Sequence, residues 1–342
     1  MKKRSFLKKL TKFSAYLAAL TFLLSGFGIC VAEIPTVYHC RPGEPPADAA
    51  FYTVEANGSE SERYTAKIKL FGLLPIKDAT IREIEQKQLV VLGTPFGTKL
   101  YTKGIVVVDA EPDSPAAAAG IQPGDVILTY NGIEVCSNAE LAEQVGQYRG
   151  KPQEVVIRRN ERTQTVWVTP AKIEGGLTIG LWVRDSTAGL GTLTYYDPET
   201  DTVAGLGHSI TDADTGLTMP VDSGTLVTAT VNGVRRGEAG NPGELLGTLN
   251  STTIGALTAN TNCGLFGTAD YDFSGIAYPV ALKNEIEEGE AQILCTISGN
   301  TAKSYTIRIT EVRNNLSESR NLCIQVTDPE LLAATGGIVQ GM

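Results

Sequence analysis

Histidine is almost missing from this chain: two residues in 342, His39 and His208. That leaves little material for a histidine-built metal site, so zinc chemistry is close to excluded and no metal or cofactor is expected. The six cysteines include no C-x-x-C pair, which removes the common redox and zinc-ribbon patterns. Cys136, Cys295 and Cys323 sit within apolar runs and are read as small buried hydrophobes, with a Cys295–Cys323 bridge left unsupported. Basic residues are in the minority, 29 against 38 acidic, for a net charge of −9. Such a surface does not seek nucleic-acid phosphates or anionic lipid on its bulk charge, and no nucleic-acid partner is expected. At 42% hydrophobic and 20% charged the chain is too apolar for a disordered polymer. Its length suits roughly two domains at about 150 residues each.

Charge is also missing locally. Six cations (Lys2, Lys3, Arg4, Lys8, Lys9 and Lys12) fall in the first twelve residues, and then Phe13 to Ala32 runs twenty residues without a charge. A helix of that length spans the roughly 30 Å of a bilayer core. A basic flank before an apolar run sets the N-terminus inside and exports the body. Two readings stay open for residues 1–32. Cys30 and Ala32 are small enough to flank a signal-peptide cleavage site, whereas the run exceeds the usual signal core and favours an uncleaved membrane anchor. Bulky Ile29 argues against lipid attachment at Cys30.

Residues 33–88 are read as a linker followed by a β-rich region: Pro and small residues to about 50, then alternating stretches such as Tyr64–Leu70. From Leu89 the punctuation sharpens. Ser114, Pro115 and Gly120 have the grammar of a short helix with an N-cap, a first-turn proline and a left-handed stop. Pro123–Gly124–Asp125 turns into a strand at Val126–Tyr130, and Asn131–Gly132 is a tight hairpin turn. Ser137 and Glu140 form a capping box that opens a second helix with Leu141 and Val145 on one face. Strands at Glu154–Arg159 and Thr163–Thr169 close the unit.

Over residues 89–170 this order (Gly104–Ile105–Val106, Ser114–Pro115–Ala116, Ala119–Gly120–Ile121, Pro123–Gly124–Asp125, Asn131–Gly132) resembles a bacterial PDZ domain of exported serine proteases. The resemblance implies a domain that adds a peptide C-terminus as a strand at a sheet edge. Phe96–Gly97–Thr98 best matches the loop that captures the terminal carboxylate, with Leu141 and Val145 on the opposite wall.

The texture changes again after Ala171. Residues 171–342 hold 23 of the 36 glycines, and short Val-, Ile- and Thr-rich runs alternate with turn clusters, which argues an all-β barrel or sandwich. Within it lies Gly205–Leu206–Gly207–His208–Ser209–Ile210–Thr211–Asp212. Glycines at a strand end allow close approach of a backbone or substrate, and a histidine there suits a general base. The bland alternative is a buried histidine satisfied by a backbone carbonyl. A metal reading through Asp212 and Asp214 lacks further ligands. At the other end, Asp328–Pro329–Glu330 leads into Ala334–Thr335–Gly336–Gly337–Ile338–Val339–Gln340–Gly341–Met342, which looks like the approach to a G-x-S-G nucleophile turn.

Together the apolar head, the PDZ-like unit, GLGHSITD and DPELLAATGGIVQGM resemble the stage IV sporulation protein B peptidases of endospore-forming bacteria. The resemblance implies a mainly β chain: an N-terminal membrane anchor, a PDZ-like α+β domain and a chymotrypsin-like all-β serine peptidase domain over 171–342. It implies an exported, membrane-anchored endopeptidase working between the two forespore membranes. Its expected partners are itself, through autoproteolysis, and a membrane-bound regulator whose cleavage releases late sigma-factor processing. Carried over by motif, His208 is the general base and Asp328 orients the imidazole or supports the nucleophile loop. Gly341 donates an oxyanion-hole N–H, and the serine is the residue after Met342. The sequence stops there, so the chain as it stands is expected to be an incomplete peptidase without turnover. The competing readings are an inactive membrane-anchored PDZ peptide-binding protein and a structural envelope protein in which His208 is incidental.

Overall fold

A computed structural model describes Thr21, Gly28 and residues 31–32, 34–46, 48, 51–56, 63–313 and 320–342. The expected anchor over 1–32 lies almost wholly outside the described residues. Among the described residues, no helix is long and apolar enough to cross a membrane. The chain divides into two compact units, one of residues 1–87, 279–288 and 310–323, the other of 88–278, 289–309 and 324–342.

The first unit is a four-stranded sheet of β1 (Val37–Cys40), β2 (Tyr52–Ala56), β3 (Arg63–Leu70) and β4 (Leu74–Glu83), in the order β1-β4-β3-β2. β1 lies parallel to β4, and the other pairs are antiparallel. Alternation buries Ala66 and Ile68 of β3 against Ala79 and Ile81 of β4, and Ile34 and Cys40 join that core. The linker expected from residue 33 is therefore structured at once: Ile34 is core and β1 begins three residues later. The turn residues of 33–50 were legible, but a four-residue strand among prolines was not.

The second unit opens with β5 (Gln88–Val91) and the sixteen-residue β6 (Pro95–Ala110). Next come α1 (Pro115–Ala118), β7 (Val126–Tyr130), β8 (Ile133–Glu134), α2 (Asn138–Gly146), β9 (Gln153–Arg159) and β10 (Arg162–Val168). β11 (Ala171–Ile173) and β12 (Gly176–Thr178) form a small hairpin. The long strands follow: β13 (Leu181–Asp197), β14 (Thr202–Gly205), β15 (Val221–Arg235), β16 (Glu244–Thr261) and β17 (Gly264–Ala269). The chain closes with β18 (Ala277–Pro279), a 3-10 turn at Lys283–Glu285, β19 (Gly289–Cys295), β20 (Lys303–Val312), β21 (Leu322–Val326) and α3 (Pro329–Thr335).

The α1–β10 segment has the capping and turn chemistry its residues call for. Ser114 accepts from the N–H of Ala117 at 3.2 Å, and Gly120 takes φ +78° just past the helix. Ser137 accepts from Glu140, whose carboxylate reaches back to the N–H of Cys136 at 2.7 Å. Asp125, 1% exposed, is held by both Nε and Nη2 of Arg159 at 2.6 Å and accepts from the N–H of Gln122 at 2.9 Å. That bidentate clamp is the structural reason for the aspartate of Pro123–Gly124–Asp125.

Six long strands close a barrel in the order β6-β15-β16-β17-β14-β13, with β13 returning to β6, all antiparallel. Phe96, Leu100, Leu193, Val203, Leu226, Ile254, Leu257 and Leu265 fill it. Closure leaves these strands without a bare edge. β6 belongs to both parts: residues 95–102 are barrel, whereas Ile105 and Val106 pair with β7 in the PDZ-like core. The sharing of β6 sets the PDZ-like unit between the first and second strands of the barrel, so residues 95–102 at its start are also barrel strand.

Phe96–Gly97–Thr98 differ from the expectation: they are not a carboxylate-binding loop but lie near the start of a barrel strand, paired on one side with Gly189–Gly191 and on the other with Leu226–Thr228. Phe96 is 1% and Thr98 2% exposed, so their N–H groups are not offered to a ligand. The described cysteines are all free thiols, and Cys136 is exposed rather than buried.

Candidate active site

One residue of β13 ties the two glycine-rich segments together. The carbonyl of buried Thr192 accepts from the N–H of Leu206 at 3.1 Å, and its Oγ1 donates to the carbonyl of Gly341 at 2.6 Å. The chain carrying His208 and the chain ending in Gly341–Met342 therefore meet at the same rung of the barrel. Gly205 fits there because a side chain would strike the Phe96 ring at 2.8 Å and the Thr192 carbonyl at 3.0 Å. Leu206 and Gly207 take positive φ, 67° and 100°, and swing the next residue outward.

His208 is exposed, with Nδ1 2.9 Å from the carbonyl of Ser209. When Nδ1 donates to that carbonyl, Nε2 is left facing solvent with its lone pair free, the arrangement a general base requires. The buried, satisfied histidine is thus not what the fold contains.

The turn behind His208 is held from three sides. Oδ1 of Asp212 accepts from the N–H of Asp214 (3.1 Å), the N–H of Thr215 (2.9 Å) and Oγ1 of Thr215 (2.9 Å). Its Oδ2 pairs with Arg184, whose other nitrogen reaches Asp214 at 2.9 Å. Burial pushes the Asp212 carboxyl up, but the Thr215 hydrogen bonds and the Arg184 charge outweigh it and hold it below the usual carboxylate range. Asp212 and Asp214 thus serve a guanidinium. Asn260 of β16 completes the support: Oδ1 accepts from the N–H of Ile210 at 2.8 Å, and Nδ2 donates to the carbonyls of Ile210 and Met219 at 2.9 Å. Thr192, Arg184 and Asn260 were missed from the sequence. Nothing local marks them, since their partners lie 28 to 149 positions away.

Asp328 stands elsewhere in this arrangement. It is the N-cap of α3, with Oδ1 accepting from the N–H of Glu330 (2.9 Å) and Leu331 (3.1 Å) and Oδ2 from Thr306 (3.4 Å). Its carboxylate is occupied by the backbone that starts the helix leading to Gly341, and the ring contact of His208 is to Ser209 instead. Leu331 of that helix clusters with Cys295 and Tyr305, and Met342 packs both against that cluster and against the one formed by Val231, Leu245 and Val339. Burial, with a smaller push from the Asp328 charge, raises the Cys295 thiol to about 11, so it stays protonated at neutral pH. Gly341 has φ +91° and Thr335 donates to the carbonyls of Leu331 and Gly337, which shapes the approach. A cleft of about 410 Å³ lies alongside it, lined by Arg236–Glu238 and Gly336–Ile338 among others.

In the PDZ-like part, Leu141 and Val145 are 4% exposed and belong to the core with Ile105, Val107 and Ile179. The start of β13, like β12, lies against α2. Leu181, Trp182, Val183 and Arg184 pair with Ala110, Asp109, Val107 and Val106 of β6, and Oδ2 of Asp185 caps the N–H of Asn138 at 2.9 Å.

Residues 175–342 match the family model of the SpoIVB peptidase S55, and residues 84–169 match the PDZ domain. Among curated relatives, the zinc metalloprotease RasP of Geobacillus kaustophilus is 25% identical over 195 residues, 47% of this chain and 46% of that protein. The putative serine protease HhoB of Synechocystis is 33% identical over 99 residues, 28% and 24% of the two chains. The serine endoprotease DegS of Escherichia coli is 40% identical over 68 residues, 20% and 19%. The matches thus span less than half the length of these relatives. Thr192, His208 and Gly341 all fall inside the stretch that carries the peptidase match, so the chain carries a SpoIVB peptidase S55 match over its C-terminal half and a PDZ match ahead of it.

Proposed function

We propose that this chain is an exported serine endopeptidase in which His208 is the general base and the nucleophile is the serine expected after Met342. The observation that carries the reading is the Thr192 junction, which brings the His208 turn and Gly341 to one rung of the barrel. With the Gly341 carbonyl drawn toward Thr192, the peptide units around it are fixed for the oxyanion-hole role of its N–H. Asp328 then acts as support of the nucleophile segment rather than as orienter of the imidazole, because its oxygens are committed to α3 and Thr306. The cleft along Gly336–Ile338 is where a substrate strand would lie.

The family match supports the finer reading: self-cleavage and cleavage of a membrane-bound regulator in sporulation signalling, between the forespore membranes, by a membrane-anchored chain. The PDZ domain would take a peptide C-terminus along Leu181–Asp185, the strand edge beside α2.

The test uses the chain extended past Met342 by a segment that begins with the proposed serine. A fluorophosphonate probe is expected to label the serine next to Met342, and His208→Ala to lower turnover at least about 10³-fold. Labelling at another serine, or full activity in His208→Ala, sinks the assignment.

A further inference from the structure

The hairpin between β3 and β4 ends in Phe71–Gly72–Leu73–Leu74, and these large apolar side chains are uncovered. Phe71 is 70%, Leu73 84% and Leu74 58% exposed. Exposed turns usually use Gly, Asn, Asp or Ser, for backbone reasons that Phe and Leu do not meet. Phe71 even occupies the left-handed region, φ 48°, where a bulky side chain is costly. The folding of the hairpin does not call for this composition.

Register says which way the tip points. β1 runs parallel to β4 with Val37 opposite Thr80, and Nζ of Lys77 reaches the carbonyl of Ile34 at 2.7 Å. The N–H of Ile34 in turn donates to the carbonyl of Val31 at 3.3 Å, and Ile34 is 4% exposed. The chain therefore enters this sheet from the last residues of the charge-free run Phe13–Ala32, at the end where the hairpin tip projects.

We propose that Phe71, Leu73 and Leu74 dip into the bilayer entered by Phe13–Ala32, giving the sheet a second membrane contact that fixes its orientation. The proposal rests on reading Phe13–Ala32 as membrane-embedded. Apolar side chains of this kind settle about 5–10 Å into the boundary of headgroups and acyl chains. Phe51 stands beside the tip, its carbonyl accepting from the N–H of Phe71 at 2.9 Å, and adds a further exposed apolar side chain at the same end. With a net charge of −9 the attraction is apolar, so salt leaves it unchanged.

The full chain is reconstituted in phosphatidylcholine vesicles, with Trp167 and Trp182 replaced by Phe and a single reporter introduced as Leu73→Trp or, at the opposite end of β4, Ile84→Trp. The expected result is flotation with the vesicles, a blue shift and loss of most Leu73→Trp emission with brominated acyl chains, at low and high salt alike, and no quenching of Ile84→Trp. Flotation with both reporters equally unquenched overturns the hairpin contact and leaves the membrane reading standing. Failure to float overturns the membrane reading, and the hairpin proposal with it.

Discussion

The PDZ domain and the barrel it interrupts are held by contacts of very different reach. In the PDZ domain the caps close over three positions, Ser114 to Ala117 and Ser137 to Glu140, and its deepest polar clamp joins Asp125 to Arg159 over 34. In the barrel, Asn260 holds Ile210 across 50 positions and Thr192 holds Gly341 across 149. The local caps let the PDZ helices start from their own neighbouring residues. The barrel reaches its site only after β13 has returned to β6, so the geometry around His208 depends on global closure.

The sharpest way to strain that comparison is to attack the buried ion pair within the PDZ domain. Asp125→Ala leaves Arg159, whose side chain is 29% exposed, without its buried partner. Breaking such a pair costs about 3 kcal/mol, at the low end of the buried range because the guanidinium is partly solvated. The midpoint of chemical unfolding followed by amide exchange over β7 and β9 reads it. A loss under about 1 kcal/mol would show that the motif holds its turn without the clamp.

Two glycines make the next comparison. Gly205→Ala places a methyl against the Phe96 ring and the Thr192 carbonyl, two barrel partners over a hundred and a dozen residues away. Overpacking of this kind costs about 1–3 kcal/mol, and the disturbance is expected at Thr192 and Gly341 together. Gly132→Ala, in the Asn131–Gly132 turn with φ +75° and open space around it, carries only the left-handed penalty of about 1 kcal/mol. Differential scanning calorimetry on both variants checks the order. Equal losses would erase the distinction between local and long-range glycines.

The same difference in reach decided what the sequence could reveal. Ser114, Gly120, Asn131 and the Ser137 capping box signal structure through their own neighbours, and each does in the fold what its residue type predicts. Phe96–Gly97–Thr98 also had a plausible local meaning, a loop before a PDZ strand. It was overridden because a strand wide enough for two structures carries no mark of where one ends: only the pairing of Leu190 and Val227 with Gly97 shows it. His208 stood out in the sequence as a candidate because glycines flank it near a strand end. Thr192, Arg184 and Asn260 did not, since threonine, arginine and asparagine are ordinary in β proteins and their meaning comes from distant partners.

The smallest expected effect is confined to the turn behind His208. The Asp212 carboxyl lies below its usual range in the folded protein, so it binds its proton less readily there than in the unfolded chain. Its contribution is then fully present above the unfolded value near pH 4 and is lost as pH falls through the lower folded value. Arg184, with 35% of its side chain exposed, limits the ion-pair share to about 1 kcal/mol. Amide shifts of Ile210 and Met219, followed from neutral pH downward, should move with Asp212 protonation in the native chain and stay flat in Asp212→Asn. Because Asn260 grips the same two residues independently of pH, the turn should loosen without unfolding. Identical titrations in the two proteins would assign the support of His208 to Asn260 alone and leave the Arg184–Asp212 pair as an ordinary ion pair.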